Sequence, residues 1–214
     1  MPGAKKVHVY DGATLKGSPT VDVGGNWSLS GVSLGTGSHD LIAKSEDLAG
    51  NISSQTIKRI LVGETATPSI ELLDDSGSSS SDKVTNDNTP RLRAVLTLTI
   101  PGGAAACSSN SVKEFKLYKY NTVTSAWDVA GTISSVSFDG LKKYDGTFQV
   151  TVALAEGAHK LAFTWVDQLN NESARGADIS VTIDTTAPNA PVISSVSDGQ
   201  VFVGTSVNIS GTAS

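Results

Sequence analysis

Cysteine is almost absent from this 214-residue chain: there is one, Cys107. A lone cysteine excludes an internal disulfide framework, so no bridge staples two sheets together. Cys107 lies in the small-residue stretch 102–109 with no histidine beside it in sequence. It reads as an incidental thiol, since a reactive one needs an activating neighbour. There is one methionine, only 17% of residues are charged, and runs of Ala, Leu, Glu, Lys and Arg that favour helix are missing. No apolar stretch approaches the roughly 18 residues of a membrane helix, so membrane insertion is not expected. Nor does a signal-peptide pattern follow Met1, because Pro2, Gly3 and Ala4 lead directly into strand-like sequence. An excess of basic residues is lacking as well. A net charge of −5 argues against a phosphate-tracking nucleic-acid binder.

What is present points to β structure: Ser, Thr, Val, Gly and Asn are abundant. Acid is concentrated locally. Between Glu64 and Pro90 there are six acids (Glu64, Glu71, Asp74, Asp75, Asp82, Asp87) against one base, Lys83, a net charge equal to that of the whole chain. Such a segment is either a solvated loop or a cation site.

The chain repeats itself. Residues 36–53 match residues 156–173, with His39 on His159, Asp47 on Asp167 and Asn51 on Asn171, all 120 residues apart. Pro68 and Pro188 share that spacing. Upstream, Gly25, Asn26 and Trp27 match Gly146, Thr147 and Phe148, and residues 7–10 match 115–118. Residues 88–94 also match 205–211. Two full copies do not fit, so the frame is one complete repeat, 67–187, flanked by partial ones at 1–66 and 188–214. Alternation of apolar and polar residues (Leu161, Phe163 and Trp165; Ile179, Val181 and Ile183), broken by Asp-Gly turns, predicts short strands. Seven are expected in the middle repeat, at 69–73, 91–98, 112–120, 132–138, 146–153, 159–167 and 177–183. The first repeat then holds the third to seventh and the tail the first two. The expected fold is all-β, a tandem of immunoglobulin-like β-sandwiches, one complete and two partial.

The phrases Asp47 to Asn51, Asp184 to Pro188, and Asp74 to Gly77 with Asp82 to Pro90 resemble the bacterial immunoglobulin-like repeats of giant type I-secreted surface adhesins, of the biofilm-associated and giant non-fimbrial kinds. The resemblance implies a structural stalk or adhesion segment of a secreted protein on the bacterial cell surface. It implies adjacent repeats of the same chain as partners, a host-surface or biofilm-matrix ligand, and calcium as a structural stiffener of the junctions. The linker from Glu64 to Pro68 departs from the pattern, which usually carries Asp there, and the region 121–141 is long.

Topology decides which acids can meet. In a seven-strand sandwich the loop after the sixth strand faces the preceding repeat, placing Asp167 and Asn171 near Glu64. The loop between the first two strands lies at the other pole, placing Asp74, Asp75, Asp82 and Asp87 near Asp184. Calcium takes about six to eight oxygen ligands in flexible geometry, and these eight residues are its candidate ligands. The competing reading is that Asp, Asn, Ser and Gly there simply form turns. His39 and His159, entering a strand without a second His or Cys, are read as bonded to the backbone, and Trp27 and Phe148 as core residues.

No Gly-x-Ser-x-Gly elbow, phosphate loop or His-Glu-x-x-His occurs, so no enzyme is expected. The alternative class is a carbohydrate-binding module of a secreted protein, for which Tyr118, Tyr120, Trp127 and Tyr144 are the aromatic candidates. Partial repeats at both ends also raise head-to-tail self-association.

Overall fold

A computed structural model describes residues 3–102, 104 and 106–213. Among them there is no helix, and therefore none long and apolar enough to cross a membrane. The first repeat contributes β1 (Lys6–Asp11), β2 (Thr14–Gly17), β3 (Gly37–Glu46) and β4 (Thr56–Val62), joined antiparallel in the order β2-β1-β3-β4. That is one sheet. No second sheet lies over it among the described residues, and Val7, 6% exposed, is its one fully buried hydrophobic residue. The fourth and fifth strands expected here do not form. Residues 18–36 make a single bridge, Thr20 to Lys6, and Trp27 is 43% exposed rather than in a core.

The middle repeat is a complete sandwich. Its strands are β5 (Ser69–Leu72), β6 (Val84–Thr85), β7 (Arg91–Thr97), β8 (Glu114–Asn121), β9 (Ala126–Ile133), β10 (Ser137–Phe138), β11 (Lys143–Gln149), β12 (Gly157–Val166) and β13 (Ile179–Ile183). One sheet runs β10-β11-β7-β5 and the other β6-β13-β12-β8-β9. Every pair is antiparallel except β6 with β13, which run parallel.

Alternation explains the core. Leu92, Ala94 and Leu96 of β7 face Phe115 and Leu117 of β8 and Leu161, Phe163 and Trp165 of β12, all at most 8% exposed. Period-2 side-chain direction brings these inward and sends Arg91 and Arg93 to solvent. On the outer face Arg93 pairs with Asp145 at 2.8 Å and Glu71 at 3.5 Å, crossing three strands. β12 is covered on both faces: Ala162, Thr164 and Val166 point away from the core yet stay buried. The chain after β12 folds back beside it, bridging Val166 with Glu172.

Two expected strands move. Residues 132–138 were expected to form one strand, but they straddle the end of β9 and the two-residue β10, which belong to opposite sheets. The long region after β8 is a hairpin. Asn121 Oδ1 accepts the N–H groups of Val123 and Thr124, Ser125 takes a left-handed conformation (φ 53°), and β9 returns along β8. The strand expected at 146–153 begins earlier, as β11, because Lys143 and Tyr144 pair with Thr97 and Leu96. Tyr144, offered as a surface aromatic, is fully buried, stacked on Phe138, and its hydroxyl donates to the Ser108 carbonyl. Phe148 packs against the core, as expected.

The tail holds β14 (Val192–Ile193) and β15 (Gly211–Thr212), an antiparallel pair standing apart from the other sheets.

Candidate functional site

The junction between the first and middle repeats is built around Glu64. Its Oε1 accepts the N–H groups of Thr65 and Ala66 at 3.0 and 2.9 Å, and its Oε2 accepts the N–H of Thr99 at 2.8 Å. The residue that ends the first repeat therefore holds a backbone group of the middle one. Burial pushes the Glu64 carboxyl up, but the N–H groups of Thr99, Ala66 and Thr65 outweigh it and hold the group below its ordinary value. Two further bonds cross the linker. Trp165 donates its indole N–H to the Ala66 carbonyl at 2.8 Å, and the Gly102 N–H donates to Ser38 Oγ at 3.1 Å. Pro68 is buried where the linker enters β5. A cleft of about 420 Å³ opens here, with Arg59, Leu61 and Glu64 on one side and Leu98, Trp165 and Asp167 on the other. Cys107 also lines it; burial raises its thiol above the ordinary value, the opposite of activation.

Asp167 lines this cleft together with Glu64, and Asn171 is held to Asp167. Asp167 Oδ1 accepts the N–H groups of Leu169 and Asn171, and its Oδ2 accepts the Asn171 side-chain amide at 2.9 Å. The same five-residue cap recurs on Asp47, Ala49 and Asn51. The paired histidines also repeat. His39 Nε2 lies 2.8 Å from the Gly35 carbonyl and His159 Nε2 2.8 Å from the Ala155 carbonyl, backbone contacts of the kind expected.

At the opposite pole, the loop from Asp74 to Asp87 lies against the end of β13, where the Asp184 N–H donates to the Thr85 carbonyl at 3.0 Å. Each acid has local work. Asp74 takes the Arg91 guanidinium at 2.7 Å and its N–H at 2.8 Å, and the Arg91 side chain holds its carboxyl below the ordinary range. Asp82 caps Val84, Asp87 caps Thr89 and Asp184 caps Thr186. Asp75 Oδ2 accepts the Lys83 N–H, whereas its Oδ1 is buried with no hydrogen-bond partner. Among the described residues no three acidic, histidine or cysteine side chains converge on one point.

The outer face of β8, β9 and β12 carries a network that sequence reasoning resolved only as scattered aromatics. Glu172 accepts from Lys116, Tyr118 and Thr164, each at 2.7 Å. The Arg175 guanidinium lies 4.9 Å from the Trp127 ring and 5.8 Å from Tyr118, while Trp127 meets Tyr120 edge-on at 5.4 Å. The rings are interleaved with cations and tilted by 64°, so they form no flat platform. Nothing in the sequence marks Glu172 and Arg175 as its organisers, because both reach it from the loop after β12.

No family model matches the sequence, and no curated protein matches it. Among solved structures the chain is similar to the fibronectin(III)-like modules of CbhA from Clostridium thermocellum, at 15% identity and a TM-score of 0.33, covering 85% of this chain and 79% of that one. A likeness that loose adds nothing to the sandwich that the strand pairing itself defines.

Proposed function

We propose that the chain is a stalk segment of a secreted bacterial surface protein of the adhesin type, whose working parts are the junctions between sandwiches. The observation that supports it is the Glu64 clasp. A flexible linker leaves its carbonyls and N–H groups to water; this one fixes them on the middle repeat through Glu64, Ala66 and Trp165. Glu64→Ala tests the idea by small-angle scattering. The expected outcome is a broader distribution of lengths with the middle repeat's melting temperature unchanged. A profile identical to the unaltered protein counts against a stiff junction.

Calcium at the poles is the finer part of the proposal. Its support is the unpartnered Asp75 Oδ1, in a loop that also carries Asp74, Asp82 and Asp87 and lies against Asp184. Binding would re-aim carboxylates that now cap turns, since the ion needs about six to eight oxygens. Melting is expected to shift upward with calcium and to return with chelator. An unchanged curve removes calcium and leaves the clasp.

The interleaved, tilted rings around Trp127 do not favour the carbohydrate-binding alternative, because stacking on a sugar needs an open ring face.

A further inference from the structure

Both ring nitrogens of His39 face acceptors. Nε2 lies 2.8 Å from the Gly35 carbonyl and Nδ1 2.9 Å from Asp11 Oδ2. A neutral imidazole carries one N–H and can satisfy one of the two, whereas the imidazolium carries two and satisfies both. The side chain is only 13% exposed, so water does not readily replace a lost partner. The Gly35 carbonyl first, and then the Asp11 carboxylate, hold the ring above its ordinary value. Lys16 of β2, 3.8 Å from the same Asp11 oxygen, opposes them. On β4 the residue opposite His39 is the apolar Ile60, and the Asp40–Arg59 ion pair lies on the other face of the sheet.

The repeat supplies its own contrast. His159 keeps the backbone contact, to the Ala155 carbonyl at 2.8 Å. Asp11 lies opposite Leu41 as Lys119 lies opposite Leu161, so a cation stands in the middle repeat where the first has an acid. The turn that His39 holds also belongs to the junction. Gly37 pairs with Val62, a methyl group on Gly63 would meet Thr36 Cγ2 at 2.6 Å, and Ser38 Oγ takes the Gly102 N–H. Gly63 is followed directly by Glu64 of the clasp.

We propose that His39 is a proton-operated latch on the junction. Charged, it ties the turn at residues 35–37 to Asp11 of β1 and keeps the clasp seated; neutral, it frees that turn and lets the two repeats bend. The inference rests on the stiff junction proposed above. A histidine whose folded value is raised contributes in full below its unfolded value, about 6.5. The contribution is lost as pH rises through the higher folded value. The junction therefore stiffens in mild acid and loosens in mild alkali.

Small-angle scattering of the whole chain at about pH 5.5 and about pH 8.5 reads the latch, beside proton NMR of the histidine rings. The expected result is a narrow distribution of lengths in acid, a broader one in alkali, and a broad one at both for His39→Gln. His8→Gln, altered at the far end of β3 beside Glu46, keeps the response. The ring resonance missing in His39→Gln is expected to titrate above about 6.5, and Asp11→Asn to move that midpoint down. The middle repeat's melting temperature stays the same in every variant. A midpoint at or below about 6.5 overturns the latch whatever the junction does. A response to pH that persists in His39→Gln overturns it too, by placing the titrating group elsewhere. Lengths that answer Glu64→Ala but not pH remove the latch and leave the clasp standing. Should Glu64→Ala change nothing, the stiff junction falls, and the latch with it.

Discussion

Gly176 shows how one residue can hold two strands in place. A methyl group there would meet the Pro68 carbonyl oxygen at 1.7 Å, and its N–H donates to the Phe163 carbonyl at 2.9 Å. The return segment after β12 thus passes close against the start of β5, and only a residue without a side chain permits the approach. Gly176→Ala is expected to cost about 1–3 kcal/mol, as overpacking does, and urea unfolding of the middle repeat will read it. Phe163 is the opposite case. Fully buried and edge-on to Phe115 at 6.5 Å, it is expected to lose about 3–5 kcal/mol as Phe163→Ala. A loss below that of an ordinary surface change would mean that the two sheets close over the gap.

At the scale of the element, turns are where the acids go. The Asn51 amide holds the Asp47 carboxyl below its ordinary value, the Lys143 N–H does the same for Asp139, and Arg91 for Asp74. A carboxyl whose folded value is lowered contributes stability that is complete above its unfolded value, about 4, and is lost as pH falls through the lower folded value. The melting temperature is therefore expected to hold from neutrality to about pH 4 and to fall below it. A rise on acidification would contradict the assignment.

The same acids explain what was legible in the sequence. β7, β8 and β13 could be read because one face is buried and alternation records it, and β12, covered on both faces, because Leu161, Phe163 and Trp165 alternate with the smaller Ala162, Thr164 and Val166. β9 could not, since Trp127, Val129 and Gly131 follow no simple alternation between core and water; the register shift at Leu117 and Tyr118 changes which residues face inward. The repeat located both acidic poles. It could not tell a ligand from a turn cap, because Asp167 and Asn171 offer the same oxygens for either task and only the positions of the Leu169 and Asn171 N–H groups separate the two.

Over the whole molecule, stability is uneven. Among the described residues the large apolar side chains below 2% exposure all belong to the middle repeat, while the residues of β14 and β15 are all exposed. Segments with few buried apolar contacts open at low free energy. Amide exchange at low concentration is expected to be slowest in β7, β8 and β12, faster in β1 to β4 and fastest in β14 and β15. Equal protection in β1 and β8 would show that the first repeat's sheet is as firmly held as the sandwich beside it.

The parallel pairing of β6 with β13 has a mechanical consequence. The chain enters the middle repeat through β5 and β6 and leaves it through β13, and the Thr182 and Asp184 N–H groups donate to Lys83 and Thr85 at 2.8 and 3.0 Å. Tension applied at the two ends drags β6 and β13 in opposite directions along their common axis. Their hydrogen bonds then bear the load in shear, together rather than one after another as in an unzipping hairpin, so a pairing only two residues long stands as the sandwich's clamp against pulling.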